Sequence, residues 1–168
     1  MAQIAFKGNP VHTSGSLPQV GTLAPDFKAV KADLSPLSLS EFKGKKVILN
    51  IFPSLDTPVC ASSVRRFNGE AAKLHNTVVL CISRDLPFAQ KRFCAAEGIA
   101  NFIVGSEYRD SSFSDAYGVR ILAGPLEGLF SRAVVVINEQ GKVIYTEQAP
   151  EISEEPNYEK ALSAASAG

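Results

Sequence analysis

The sequence predicts an α/β fold: one mixed central sheet flanked by helices, with an N-terminal β-hairpin in front. From residue 45 to residue 117, short apolar runs of strand length alternate with segments whose apolar residues recur every three or four positions. Two further apolar runs, "RAVVVIN" and "KVIYTEQ", are separated only by a tight connection containing "EQG", which makes them antiparallel neighbours. Helix-linked crossovers followed by such a hairpin require a sheet with both parallel and antiparallel strands, and helices on both of its faces.

Taken in order, residues 4–13 read as a hairpin turning at "KGNP". The stretch "TLAPDFKAVKADLSPLSLSEF" is punctuated by two prolines and reads as irregular chain with short extended pieces. Residues 45–52, "KKVILNIF", form a buried strand bounded by Gly44 and Pro53. In the helix that follows, Val64, Phe67, Ala71 and Leu74 make the apolar face, opposite Arg65, Arg66, Glu70 and Lys73. "TVVLCIS" (77–83) is a second buried strand, and Asp85 with Pro87 opens a helix that Gly98 stops. "NFIVGS" is a third strand, followed by a short helix near 111–117 that ends at Gly118. After the two C-terminal strands, Pro156 opens a last helix. A thioredoxin-like domain has this arrangement, with additions at the front and in the middle. Residues 1–168 are expected to form one domain, with 1–15 as the hairpin extension, since no repeat or linker interrupts them.

Composition narrows the function classes. Of 168 residues, 45% are hydrophobic and 20% charged, with 17 basic and 17 acidic side chains. A formal net charge of zero gives no electrostatic reason to expect nucleic acid or an anionic membrane as partner. No apolar segment approaches the ~18 residues that span a bilayer, and the N-terminus has no signal-peptide pattern, so the expected location is the cytoplasm. Cysteines there stay reduced unless they serve redox or metal chemistry. The chain has three, Cys60, Cys81 and Cys94.

Cys60 stands at a helix start. Pro58 suits the first helical position and Thr57 the N-cap, which puts Cys60 at the third helical residue. Unpaired backbone N–H groups and the positive end of the helix dipole favour a thiolate there. The loop also follows the carboxyl end of a strand, where sites form in open α/β sheets. Local geometry alone leaves open whether Cys60 is a nucleophile or a small buried hydrophobe. A cysteine hydrolase would need a nearby base, yet His12 and His75 carry no signature tying them to Cys60. Ser63 stands where a C-x-x-C exchanger would have its second cysteine, and no two cysteines have zinc-ligand spacing. Peroxide reduction requires less: an activated thiolate, donors for the departing oxygen, and a second thiol, with no metal or organic cofactor.

The segment "PSLDTPVC" forms P-x-x-x-T-x-x-C and resembles the active-site motif of the peroxiredoxins. "NIFPSLDTPVCASSVRRFN", "VVLCISRDLPFAQKRFCAAEG" and "GPLEGLFSRAVVVI" extend the resemblance across the chain and are similar to the thiol peroxidase subfamily. The resemblance implies that Cys60 is the peroxidatic cysteine, that the Thr57 hydroxyl contacts peroxide and thiolate, and that Pro53 shields the pocket from water. It further implies that Arg132 favours the thiolate and polarises the peroxide, and that Cys94 resolves the sulfenic acid as a Cys60–Cys94 disulfide. Thioredoxin as reductant and a homodimer are implied in the same way. No cofactor is expected.

A disulfide needs Cα atoms roughly 5.5 Å apart. Cys60 and Cys94 lie on different helices, so local unwinding is expected to bring the thiols together. Cys81 alternates with apolar neighbours on a strand and is left outside the catalytic set. Leu55, Phe88, Ile121 and Leu122 could line a pocket favouring alkyl hydroperoxides. Two rival readings are a redox sensor that does not turn over, and a thioredoxin-like binding module with a vestigial site.

Overall fold

The structure, a computed structural model, describes residues 2–97 and 103–167. The expected helix stop at Gly98 and the start of the third strand at Asn101 and Phe102 lie outside the described residues.

At the N-terminus β1 (Gln3–Phe6) and β2 (Asn9–His12) form the expected antiparallel hairpin, a separate two-stranded sheet. The segment from 22 to 42 is more regular than its prolines suggest. Within it β3 (Lys28–Lys31) pairs antiparallel with β4 (Pro36–Ser38), and a 3-10 turn covers Leu39–Phe42. Asp33 stitches the intervening turn by accepting bonds from the Ser35 amide and hydroxyl. The pairing of β3 with the distant β7 (Ile103–Ser106) makes this segment a sheet edge, a non-local contact that local propensity does not report.

The main sheet has seven strands. It adds β5 (Lys46–Ile51), β6 (Thr77–Ser83), β8 (Ala133–Ile137) and β9 (Val143–Gln148), in the order β4-β3-β7-β6-β5-β8-β9. The strands β5, β6 and β7 are parallel, while β8 runs antiparallel to β5 and β9 antiparallel to β8. Every residue of β5 is buried, as expected for a central strand covered on both faces.

Helices α1 (Pro58–Ala71), α2 (Pro87–Glu97), α3 (Ser112–Tyr117) and α4 (Tyr158–Ala167) cover the sheet. One face packs Phe113 and Tyr117 of α3 with Phe27, Leu49 and Val135. The other packs Val64 and Phe67 of α1 with Tyr158 and Ala161 of α4, and Cys60 and Cys81 belong to this second core. Gly118 ends α3 in the left-handed region at φ 67°, where a glycine is the natural stop. The last helix starts at Tyr158, two residues after the expected Pro156, and Asn157 caps it, its side-chain oxygen accepting the Lys160 amide at 3.0 Å. No helix among the described residues is long and apolar enough to cross a membrane.

Candidate active site

Strand β5 ends at Ile51, and Phe52 and Pro53 continue buried into the loop that leads to α1. Pro58 is the first residue of α1, preceded by Thr57 in extended conformation, and Cys60 lies in the first turn. The first i−4 bond of the helix runs from the Ala61 amide to the Thr57 carbonyl, at 3.1 Å. The amides of Val59 and Cys60 therefore precede the helical ladder, at the positive end of the helix dipole. Cys60 is fully buried.

Thr57 occupies the N-cap position but does not cap with its side chain. Its hydroxyl donates instead to the Ser54 carbonyl, at 2.9 Å, and closes the loop on itself. The helix start is thus set by the proline and by backbone geometry. The Thr57 hydroxyl has its proton committed to the loop and keeps its lone pairs free for a donor.

Arg132 immediately precedes β8. Pairing of Ala133 with Ile51 brings it to the carboxyl end of β5, beside the Cys60 loop. Its Nη1 donates to Cys60 Sγ at 3.2 Å, and its Nε donates to the Ile152 carbonyl at 2.7 Å. A charge abutting an apolar strand is ordinarily a solvated strand end, yet Arg132 is only 3% exposed. Among the described residues no carboxylate forms a salt bridge with it. Burying a lone guanidinium costs several kcal/mol unless an anion answers it, and the group facing it is the Cys60 sulfur.

Cys94 sits half-buried on α2, where it packs against the same apolar cluster that contains Cys60. All three cysteines are free thiols. Burial pushes the Cys94 thiol above its ordinary range. Cys81 is fully buried, its sulfur 3.8 Å from the Asn50 side-chain amide, and desolvation raises its thiol far out of the working range. The four apolar residues considered for a substrate pocket are spread out. Leu55 and Ile121 are buried in different clusters, while Phe88 and Leu122 are exposed. Both histidines are exposed.

Two participants carry no signal in the sequence. Ile152 contributes only a backbone carbonyl, which any residue could supply. Asp85 reads locally as a helix-start residue, but its carboxylate accepts bonds from the Ser54 hydroxyl and the Leu55 amide.

This is a thioredoxin-like α/β protein in which a single helix-start cysteine faces a buried arginine. The chain belongs to the Redoxin family, whose profile matches residues 19–162. It is 56% identical over 164 residues to the thiol peroxidases of Mycobacterium tuberculosis and Mycobacterium bovis, covering 98% of this chain and 98% of each relative. The peroxiredoxin-like protein from Aquifex aeolicus superposes with a TM-score of 0.92 at 39% identity, over 98% of this chain and 96% of that one. The thiol peroxidase from Chromobacterium violaceum superposes at 0.88 with 20% identity, over 95% and 93% of the two chains, a likeness of fold alone.

Proposed function

We propose that the chain is a cofactor-free thiol peroxidase that reduces hydrogen peroxide and organic hydroperoxides to water and alcohols, and so serves antioxidant defence in the cytoplasm. The observation that carries the reading is the buried Arg132 guanidinium, which has the Cys60 sulfur at 3.2 Å and no salt-bridged carboxylate among the described residues. A thiolate at Cys60 supplies the missing negative charge, and the same guanidinium then meets charge developing on the leaving oxygen.

In the first step the Cys60 thiolate attacks one peroxide oxygen. A sulfur–oxygen bond forms, the oxygen–oxygen bond breaks, and the leaving alkoxide or hydroxide takes a proton to become alcohol or water. Sulfur is oxidised by two electrons to sulfenic acid and the peroxide is reduced by the same two. Thr57 accepts a hydrogen bond from the peroxide O–H through the lone pairs left by its bond to Ser54. Pro53, buried at the loop start, keeps water from the sulfur.

In the second step the Cys94 thiol condenses with the sulfenic acid, releasing water and forming the Cys60–Cys94 disulfide. Because Cys60 is fully covered and Cys94 is on another helix, this step includes local unwinding of α1, α2 or both. A dithiol, thioredoxin, returns both cysteines to the reduced state. The enzyme acts as a homodimer.

Steady-state peroxide consumption with thioredoxin, thioredoxin reductase and NADPH tests the reading. Wild type turns over continuously and Cys60→Ser does not. A single stoichiometric burst from wild type would replace the enzyme with a redox sensor, and full activity in Cys60→Ser would remove Cys60 from the chemistry.

A further inference from the structure

The loop that presents Cys60 is held from outside by one carboxylate. Asp85 lies between β6 and α2, and its two oxygens serve separate partners. Oδ1 accepts the Ser54 hydroxyl at 2.7 Å, while Oδ2 accepts the Leu55 amide at 2.9 Å and the Ser83 hydroxyl at 2.7 Å. Asp85 forms no salt bridge among the described residues, so its negative charge is directed into these bonds. Hydrogen bonds to an ionised acceptor are roughly twice as strong as neutral ones. Ser83 is itself buried and also accepts from the buried Gln90 side chain at 3.3 Å, which fixes the far side of the network to α2.

The consequence passes through Ser54. Its hydroxyl is held by Asp85 and accepts the Asp56 amide at 3.1 Å, while its carbonyl receives both the amide and the hydroxyl of Thr57, at 3.3 Å and 2.9 Å. A threonine hydroxyl has one proton. With that proton fixed on Ser54, the Thr57 oxygen can only accept from any further partner. If Ser54 moves, the hydroxyl is released to rotate, and its acceptor face is lost to an incoming peroxide.

We propose that Asp85 is a positioning residue for the peroxide step: by clamping Ser54 and Leu55 it fixes the Thr57 hydroxyl as an acceptor for the peroxide O–H. The proposal rests on the peroxidase reading above. It gives Asp85 no contact with substrate and confines its effect to reagents that must be oriented by Thr57.

The test compares two second-order rate constants at Cys60 in the full chain, one for hydrogen peroxide and one for methyl methanethiosulfonate. The second reagent consumes thiolate but has no proton to give Thr57. Asp85→Ala should lower the peroxide rate about tenfold, since small misplacements at a reacting centre cost one to two orders of magnitude. Its reaction with the thiosulfonate should stay within about twofold of wild type. Asp85→Asn should restore at least about half of the peroxide rate, because its oxygen accepts from Leu55 and Ser83 while its amide meets Ser54.

Equal slowing of both reagents in Asp85→Ala, an unchanged peroxide rate, or an Asn variant as slow as the Ala variant would each overturn the proposal. Should Asp85→Ala fail to fold, Ser54→Ala decides. A peroxide-selective loss of about threefold supports the clamp, and no selective loss overturns it. Failure of wild-type Cys60 to react with peroxide would instead overturn the underlying reading, an outcome distinct from any difference between variants.

Discussion

Arg132 Nη1 lies 3.2 Å from Cys60 Sγ, and the two residues are 72 positions apart in the chain. The same guanidinium is tied through Nε to the Ile152 carbonyl, so its plane is set by one partner and its charge is offered to the other. A lysine cannot do both, because it has one compact ammonium in place of a rigid fork. Arg132→Lys and Arg132→Met should each lower the rate of Cys60 oxidation by peroxide about 100-fold, the scale for removing one donor that stabilises transition-state charge. Stopped-flow oxidation of the reduced protein measures this directly. A loss under threefold would separate Arg132 from the chemistry.

Thr57 gives a second prediction. Its hydroxyl bonds to Ser54 and does not cap the helix, so Thr57→Val should cost about 1 kcal/mol of stability, the worth of one hydrogen bond. The peroxide rate should fall more than that stability change suggests, by about tenfold or more, because the acceptor for the peroxide O–H is gone. Thr57→Ser keeps the hydroxyl and should recover most of both. Denaturant melts and single-turnover rates on the two variants check the separation.

The distribution of these features explains what the sequence makes legible. The Thr57-Pro58 pair announces a helix start, and Cys60 follows within its first turn, so local rules place the cysteine there but leave its role open until the motif resemblance is considered. Arg132 is not found that way, since its arrival depends on the register of β8 against β5, which places Ala133 opposite Ile51. The resemblance to a known motif selects it where spacing cannot. The direction of the Thr57 hydroxyl is likewise hidden, because capping and loop closure use the same residue type. The β3–β4 edge is missed for a related reason: its partner is β7, far along the chain, and Pro25 and Pro36 argue locally against strand.

Cys94 carries a pH prediction. Burial raises its thiol above the ordinary value of 9.0 in the folded chain. The folded state therefore binds the proton more tightly than the unfolded state, and this contribution to stability is present in full below that value. It is lost as pH rises from about 9.0 through the raised native value. Reduced wild type should lose stability over this alkaline window, and Cys94→Ser should lose less. Thermal melts of the two reduced proteins across the window check the sign. Alkylation mapped by mass spectrometry adds a companion test: Cys94 in the native chain should react more slowly than in the denatured chain at the same pH.

The N-terminal hairpin reaches the site through the backbone. Ala5 donates its amide to the Pro150 carbonyl and accepts the Ile152 amide, while Glu151 receives the Lys7 and Gly8 amides at the hairpin turn. Ile152 then offers its carbonyl to Arg132. Glu151→Ala should therefore slow Cys60 oxidation by about threefold in the wild-type background and have no further effect in Arg132→Lys. That non-additivity is the mark of a shared path. A double-mutant cycle on the single-turnover rate measures it, and additive losses would disconnect the hairpin from the arginine.

The central claim is that Cys60 is the sulfur that meets peroxide. One equivalent of hydrogen peroxide added to reduced Cys94→Ser, in the presence of a sulfenic-acid trap such as dimedone, should place the adduct on Cys60, as read by peptide mass spectrometry. The Arg132→Lys, Cys94→Ser double variant should accumulate it far more slowly. An adduct on Cys81, or consumption of peroxide with Cys60 left as a free thiol, would contradict the account.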